Sequence, residues 1–214
     1  MAKPTLQASD DSLFCLMDNV KDFLVGDTQD MLVLGDSGTG KSTFNRYLEH
    51  ELWKEYKPGD RTLLFINLPG LERPGREQVV EQLRTYDFTD DQIRELKKHR
   101  QLILISDGYD ESQLTSNLHT TTLLNRSGQG HYVPNAAGMY NRAADHLFME
   151  AVITPFSKEQ IEDYVERYVP LKPRTWIKKD YIDTLETVPN LMDLVRNPFL
   201  LTLCLEVLLD VIKG

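Results

Sequence analysis

Cysteine is scarce in this chain, which has only two among its 214 residues. Cys15 and Cys204 lie near opposite ends of the sequence, with no CxxC pair and no histidine close to either. This pattern excludes a disulfide-rich scaffold and gives no indication of a zinc site. We expect both cysteines to be buried, reduced thiols.

Long apolar runs are absent as well. No stretch of about 18 consecutive apolar residues occurs, and the opening Met-Ala-Lys-Pro lacks the apolar segment of a signal peptide. We therefore expect a protein without a membrane span that works in the cytoplasm.

Positive charge is in deficit, because 24 Lys and Arg stand against 33 Asp and Glu, giving a net charge of −9. Proteins that bind a polyanion by counterion release usually carry the opposite balance, which argues against nucleic acid as the main partner. The apolar fraction of 41% and the charged fraction of 27% are typical of a globular chain. The length suits one α/β domain, alone or with a small appendage.

Short apolar runs alternate with helical patterns through the first part of the chain. The runs at 31–34, 62–66, 102–105 and 148–153 predict buried strands, and the stretches at 10–24, 41–56, 77–84 and 90–100 predict helices. This alternation indicates an α/β fold with a parallel sheet and flanking helices. Residues 110–147 are broken by glycine and proline and lack a strong apolar run, so we expect mostly loop there.

The last part of the chain has helical patterns only. Ser157, with Gln160 three residues later, predicts a capping box for a helix that ends near 168. Further helices are predicted at 176–188, 191–195 and 198–212. The last of these is apolar on nearly all sides, so we expect its packing partners to lie outside this sequence and the chain to be truncated at its C-terminus.

The segment GDSGTGKS at 35–42 matches the pattern GxxxxGK[ST] and lies between a predicted buried strand and a predicted helix. Glycines allow such a loop to wrap a phosphate with its N–H groups, and the helix N-terminus adds partial positive charge. Lys41 would contact the β- and γ-phosphates, and the Ser42 hydroxyl would bind Mg²⁺. The candidate nucleotide-binding residues are Gly35, Asp36, Ser37, Gly38, Thr39, Gly40, Lys41, Ser42 and Thr43. The alternative, a chance glycine-rich turn, is disfavoured by the flanking strand and helix.

A second candidate segment, LILISDGYDE at 102–111, is an apolar strand that ends in an acid. A carboxylate at the carboxyl end of a parallel strand lies where ligands bind, so Asp107 is a candidate to hold Mg²⁺ through its water shell. Asp110 or Glu111 would orient or deprotonate an attacking water. The alternative is that Asp110 and Glu111 serve as a helix N-cap.

These two segments together resemble the NACHT group of the STAND-class P-loop ATPases. AVITPFS at 151–157 and NPFLLTL at 197–203 are also similar to stretches of that family. The resemblance implies ATP or ADP with Mg²⁺ as ligands, a P-loop NTPase fold, and a helical lid in which Pro198 packs near the base. It divides the chain into a lead-in (1–30), a nucleotide-binding domain (31–156) and a helical lid region (157–214).

The residues around Asp107 and the segment LLNR at 123–126 look most similar to fungal members of the group. These are large signalling proteins that continue into a winged helix and a repeat sensor. The resemblance therefore also implies protein partners, or self-association through further C-terminal modules.

One feature of that family is not evident here. Its members have a strand that ends in Ser-Arg or Thr-Arg and lies between the P-loop strand and the acidic strand, and its arginine senses the γ-phosphate. Residues 112–147 offer only weak substitutes, 120–124 with Arg126 and 129–133. We therefore expect this strand to be missing through a deletion after Gly128-Gln129, which puts hydrolysis in doubt. Arg126 is the candidate sensor, and a surface-loop residue is its alternative.

Two functional hypotheses follow. The first is an ATP-binding switch module that hydrolyses slowly. The second is a non-hydrolysing interaction scaffold, or an inactive isoform that keeps the nucleotide motifs. A GTPase is disfavoured because no Asn/Thr-Lys-x-Asp motif is present.

Overall fold

The computed structural model describes residues 14–26, 30–72, 77–109, 111, 130–136, 148–172 and 176–211. The strands are β1 (Asp30–Leu34), β2 (Thr62–Asn67), β3 (Leu102–Asp107), β4 (Gly130–Ala136) and β5 (Phe148–Val152). The helices are α1 (Leu16–Val25), α2 (Lys41–Glu55), α3 (Gln78–Arg84), α4 (Asp90–His99), α5 (Lys158–Tyr168), α6 (Lys178–Thr187), α7 (Leu191–Leu194) and α8 (Pro198–Val211), with 3₁₀ turns at Leu68–Gly70 and Val169–Leu171. The predicted α/β class is confirmed.

The chain forms two compact units that are interleaved in sequence. The first, here called the sheet unit, comprises Met1–Leu34 and Phe44–Ala151, and the second, the helical unit, comprises Gly35–Thr43 and Val152–Gly214. Residues Gly35–Thr43, here called the P-loop, therefore group with the C-terminal helices, although they follow β1 directly in sequence.

The strands form one sheet in the order β2-β3-β4-β1-β5. The pairs β2–β3, β3–β4 and β1–β4 are parallel, with Phe65 opposite Ile105 and Val33 opposite Asn135. Met31, Leu32 and Val33 are all buried, so β1 is covered on both faces. Continuous apolar runs, which hide both faces of a strand, are the sequence pattern that favours this arrangement.

Strand β4 overturns the expectation that the central strand is missing, and it places a strand within 110–147, a stretch that otherwise lies almost entirely outside the described residues. It lies between β1 and β3, where it pairs with both. The sequence GHYVPNA has few strand-forming residues, and Pro134 cannot donate to a neighbour, so local propensity does not reveal the strand. Backbone pairing on both sides satisfies its other polar groups and outweighs that low propensity.

One apolar cluster of the sheet unit packs helices α3 and α4 against strands β2 and β3. Its buried members are Leu64, Ile66, Leu68, Val79, Leu83, Ile93, Leu102 and Leu104. Each such side chain contributes roughly 1.5–3 kcal/mol when fully buried. Helix α4 begins with a capping box, in which Gln92 N donates to Thr89 Oγ1 at 3.3 Å and Thr89 N donates to Gln92 Oε1 at 2.8 Å.

The helical unit has an apolar cluster built from α5, α6 and α8. Its buried members are Ile161, Val165, Tyr168, Tyr181, Leu185, Val195, Leu201 and Leu205. The capping box predicted at Ser157 is confirmed, because Gln160 N donates to Ser157 Oγ at 3.2 Å and Ser157 N donates to Gln160 Oε1 at 2.9 Å. This cap fixes the start of α5.

The cysteines differ from expectation. Cys15 is exposed and Cys204 is only half-buried, and both are free thiols. Cys15 is the residue immediately before α1. Partial burial raises the pKa of the Cys204 thiol. In the part of the chain that the structure describes, no helix has the length and apolar character needed to cross a membrane.

Candidate functional site

The P-loop is closed on itself by the side chain of Lys41. This lysine is the first residue of α2 and only 8% exposed. Its Nζ donates to the carbonyl oxygens of Gly35 at 2.8 Å and Asp36 at 3.1 Å. The buried Thr39 hydroxyl also donates to Asp36 O, at 2.8 Å. The ammonium group is thus already positioned inside the loop, where bound phosphates would meet it.

The backbone of the loop adopts angles that favour glycine. Gly38 has φ +79° and Gly40 has φ +96°. A Cβ atom built on Gly40 would meet nothing within 4 Å, so the space beside it is open. The first turn of α2 carries no acidic residue, and the Ser42 and Thr43 side chains there are exposed. An anion approaching this helix N-terminus is attracted by the helix dipole, and no acidic residue of the first turn opposes it.

The start of α8 contacts the P-loop directly. Asn197 Nδ2 donates to Ser37 O at 2.9 Å, and Phe199 N lies 3.3 Å from Gly38 O. A Cβ atom on Gly38 would lie 2.7 Å from Asn197 Oδ1, so any other residue at this position would force the Asn197 side chain to shift. Pro198, the predicted base-packing residue, is half-buried as the first residue of α8. Within the helical unit, the structure therefore brings the P-loop together with the Asn197–Phe199 segment.

In the sheet unit, Asp107 is the last residue of β3 and is half-exposed. Asn45, which is fully buried on α2, donates from Nδ2 to Asp107 Oδ1 at 3.2 Å. Because a carboxylate can only accept hydrogen bonds, the amide nitrogen is the group that faces it. This contact fixes one oxygen of the carboxylate at the end of β3.

A tight turn follows Asp107. Gly108 has φ +74°, and a Cβ atom there would lie 2.6 Å from the ring of Pro69. Glu111 N donates to Gly108 O at 3.2 Å, which closes the turn, and the Glu111 side chain is exposed. Asp110 and Arg126, the other candidates for catalysis and phosphate sensing, lie outside the described residues.

The donor chemistry of these residues fits a magnesium nucleotide. Mg²⁺ prefers oxygen ligands and is often held by one or two side chains together with phosphate oxygens and water. The Ser42 hydroxyl and the Asp107 carboxylate are such ligands. The loop amides, the α2 N-terminus and Lys41 supply the positive potential that polyphosphate needs.

Two site residues, Asn197 and Asn45, were not predicted from the sequence. A signal for Asn197 existed, since asparagine followed by proline is typical of an N-cap and the first helical position. No comparable signal marked Asn45, because a single asparagine inside a helix does not show which strand it faces. Neither contact could be inferred from local pattern, as the partners are 160 and 62 residues away.

The NACHT domain family model matches residues 29–172 of the chain. No curated protein matches the sequence of this chain.

Solved structures with a similar fold include two ORC proteins and a Walker-type ATPase. The Aeropyrum pernix ORC1 protein in complex with DNA is 16% identical, with a TM-score of 0.54 over 85% of this chain and 56% of that one. A Walker-type ATPase of Pyrococcus abyssi is 14% identical, with a TM-score of 0.52 over 96% of this chain and 75% of that one. The Aeropyrum pernix ORC2 protein, in ADPNP-ADP complexes, is 13% identical, with a TM-score of 0.51 over 78% of this chain and 52% of that one. The chain thus spans about half the length of the two ORC proteins, and the likeness concerns the fold.

Proposed function

The chain belongs to the NACHT domain family, and from this premise we propose that it is an ATP-binding, Mg²⁺-dependent nucleotide-switch module of a signalling protein. The observation that carries the proposal is the state of Lys41, a buried ammonium held inside a glycine-rich loop at the start of a helix. A buried cation is costly unless something compensates it, and polyphosphate is the ligand that this loop chemistry compensates best.

Each candidate residue has a role in this proposal. The amides of 35–43 and the Lys41 ammonium bind the β- and γ-phosphates. Ser42 and Asp107 hold Mg²⁺, which neutralises phosphate charge. Glu111, with Asp110, orients or deprotonates the attacking water, and Pro198 packs near the base.

Slow hydrolysis to ADP would reset the switch, and signalling would follow from a shift between two populations. The presence of β4 in the centre of the sheet removes the main objection to hydrolysis that the sequence raised. No arginine occurs within β4 itself, and Arg126 is the γ-phosphate sensor in this proposal. The alternative function is a scaffold that binds nucleotide without turnover. It differs from the switch only in that it does not hydrolyse ATP.

We also propose a cytoplasmic location and protein partners, either other proteins or further copies of this chain. The ORC1 structure contains DNA, but a net charge of −9 argues against a similar partner here.

Thermal unfolding with and without excess MgATP tests the proposal. Ligand at about a hundred times its dissociation constant adds roughly 2.7 kcal/mol, which raises the midpoint of a domain this size by about 5–10 °C. We expect that shift in the parent protein and not in Lys41→Ala. Lys98→Ala, which removes an exposed lysine of α4, is the matched control and should keep the shift. A parent protein whose midpoint is unchanged by MgATP would overturn the proposal.

If the shift is present, phosphate release under saturating MgATP separates the switch from the scaffold. Turnover that is lost in Glu111→Gln would support the switch. Tight binding with no turnover above background would favour the scaffold.

A further inference from the structure

The side-chain amide of Asn197 accepts hydrogen bonds through its oxygen and donates one through its nitrogen, to two different segments of the chain. Its Oδ1 accepts from Phe199 N at 3.0 Å and Leu200 N at 3.3 Å, which caps the first turn of α8. Its Nδ2 donates to Ser37 O at 2.9 Å, in the P-loop. Only an amide side chain has an acceptor and a donor placed side by side in this way.

The contact with Ser37 fixes more than one oxygen atom. A trans peptide unit is planar, and its C=O and the following N–H point in opposite directions. Holding the Ser37 carbonyl toward Asn197 therefore turns the Gly38 N–H to the other side. The Gly38 carbonyl is held in the same manner by Phe199 N, at 3.3 Å. Two consecutive peptide units of the loop are thus oriented by the start of α8.

The packing beside this contact leaves little freedom. A Cβ atom on Gly38 would lie 2.7 Å from Asn197 Oδ1 and 3.0 Å from the Cβ of Phe199. The loop and the helix start are therefore in direct contact at a position where no side chain fits between them. The backbone of Asn197 is held by α8 as well, because Leu201 N donates to its carbonyl oxygen at 2.9 Å.

We propose that Asn197 is a positioning residue of the nucleotide site, and that it couples the docking of α8 to the shape of the P-loop. The inference rests on the proposed function, since it concerns the same phosphate-binding loop. When α8 is docked, the Ser37 and Gly38 carbonyls are turned away from the phosphates and the loop is ready to bind. When α8 moves away, these peptide units lose their hydrogen bonds and the loop loses affinity for nucleotide. By linkage, bound nucleotide favours the docked helix to the same extent.

Substitution by serine separates the two roles of Asn197. Serine is a good N-cap, so Asn197→Ser retains the acceptor for α8. Its side chain is shorter, so it removes the donor that reaches Ser37 O, and it adds no charge that could repel phosphate. Ser157→Ala is the matched control, because it removes the cap of α5 in the same unit without touching the P-loop.

Calorimetric titration with ATP in the presence of Mg²⁺ gives the first readout. We expect Asn197→Ser to weaken binding about tenfold while its nucleotide-free thermal midpoint stays near that of the parent. Ser157→Ala should lower the midpoint and leave the affinity unchanged. Equal affinity in the parent and Asn197→Ser would overturn the inference.

Hydrogen–deuterium exchange of the nucleotide-free proteins gives the second readout and does not depend on binding. Peptides that cover 35–43 should exchange faster in Asn197→Ser than in the parent, whereas Ser157→Ala should leave them unchanged. If the parent binds no ATP, the proposed function fails, and exchange alone then decides whether Asn197 orders the loop. Unchanged exchange in Asn197→Ser would refute the positioning role.

Discussion

The Nδ2 atom of Asn45 lies 3.2 Å from Oδ1 of Asp107, which links helix α2 to the carboxyl end of β3. Asn45 is fully buried, and its own Oδ1 has no hydrogen-bond partner among the residues that the structure describes. A buried amide oxygen without a partner costs free energy, about 1–3 kcal/mol. The fold tolerates this cost at a position where the other end of the amide orients the proposed magnesium ligand.

Replacing Asn45 by leucine tests this relationship. Leucine keeps a similar volume and removes both the unsatisfied oxygen and the donor to Asp107, so we expect little loss of stability. Substitution of groups that orient a metal ligand commonly lowers metal affinity by 10–100-fold. We therefore expect the Mg²⁺-dependent part of ATP affinity to fall about tenfold, as measured by titration in Mg²⁺ and in EDTA. Affinity in EDTA is the internal control, and a loss of equal size there would contradict the orienting role.

The turn after Asp107 gives a second prediction, about Gly108 and Pro69. Gly108→Ala should destabilise the protein by two additive effects, a strained positive φ worth about 1–2 kcal/mol and a steric clash with the Pro69 ring. Gly59→Ala is the matched control, because Gly59 has φ +106° and a Cβ there would meet nothing within 4 Å. Urea denaturation should show a larger loss for Gly108→Ala than for Gly59→Ala.

A double variant isolates the clash. Pro69→Gly removes the ring, so Gly108→Ala should cost less in that background than in the parent. If the cost is the same in both backgrounds, contact with Pro69 does not contribute and backbone strain is the whole effect.

Acid should weaken the helical unit through Glu206. Lys172 Nζ lies 2.6 Å from Glu206 Oε1, and this hydrogen bond holds the pKa of Glu206 below its ordinary value of 4.5. A carboxylate with a lowered pKa in the folded state stabilises the fold above its unfolded pKa, and the contribution is lost as pH falls through the folded pKa. Glu206→Gln should therefore lower the thermal midpoint slightly near pH 7, and this effect should shrink as the pH falls through the folded pKa of Glu206.

The pair of residues, and not the carboxylate alone, should account for this pH dependence. In a Lys172→Met background, Glu206→Gln should change the midpoint near pH 7 less than it does in the parent, with Tyr168 as the remaining group that lowers the pKa of Glu206. A difference between Glu206→Gln and its parent that stays constant from neutral to acid pH would contradict this assignment.

Much of the fold could be predicted because its elements are marked locally. Strands β1, β2 and β3 are continuous apolar runs, and the capping boxes at Thr89 and Ser157 mark two helix starts. The P-loop was identifiable since its glycines and Lys41 are required at fixed spacing by the geometry of phosphate binding. These features depend on neighbours only a few residues away.

The rest depends on partners that are distant in sequence. Strand β4 is held by pairing on both sides, which compensates for its glycine and proline, so its local pattern at 129–133 was too weak to place it. The contact of Asn197 with Ser37 joins residues 160 positions apart. Sequence analysis identified the groups that would touch the nucleotide, and it missed the asparagines that would hold those groups in place.

The position of β4 also determines when the sheet can be completed as the chain leaves the ribosome. Both neighbours of β1, which are β4 and β5, lie C-terminal to β3, and Asp30 pairs with Tyr132 about a hundred residues later. Of the pairs in this sheet, β2 with β3 is the one that can form first. The nascent chain must therefore carry β1 with both edges unpaired until residue 136 has emerged, and such edges invite intermolecular pairing. Pairing between strands so far apart in sequence predicts slow folding, and the strand that leads into the P-loop is among the last to be secured.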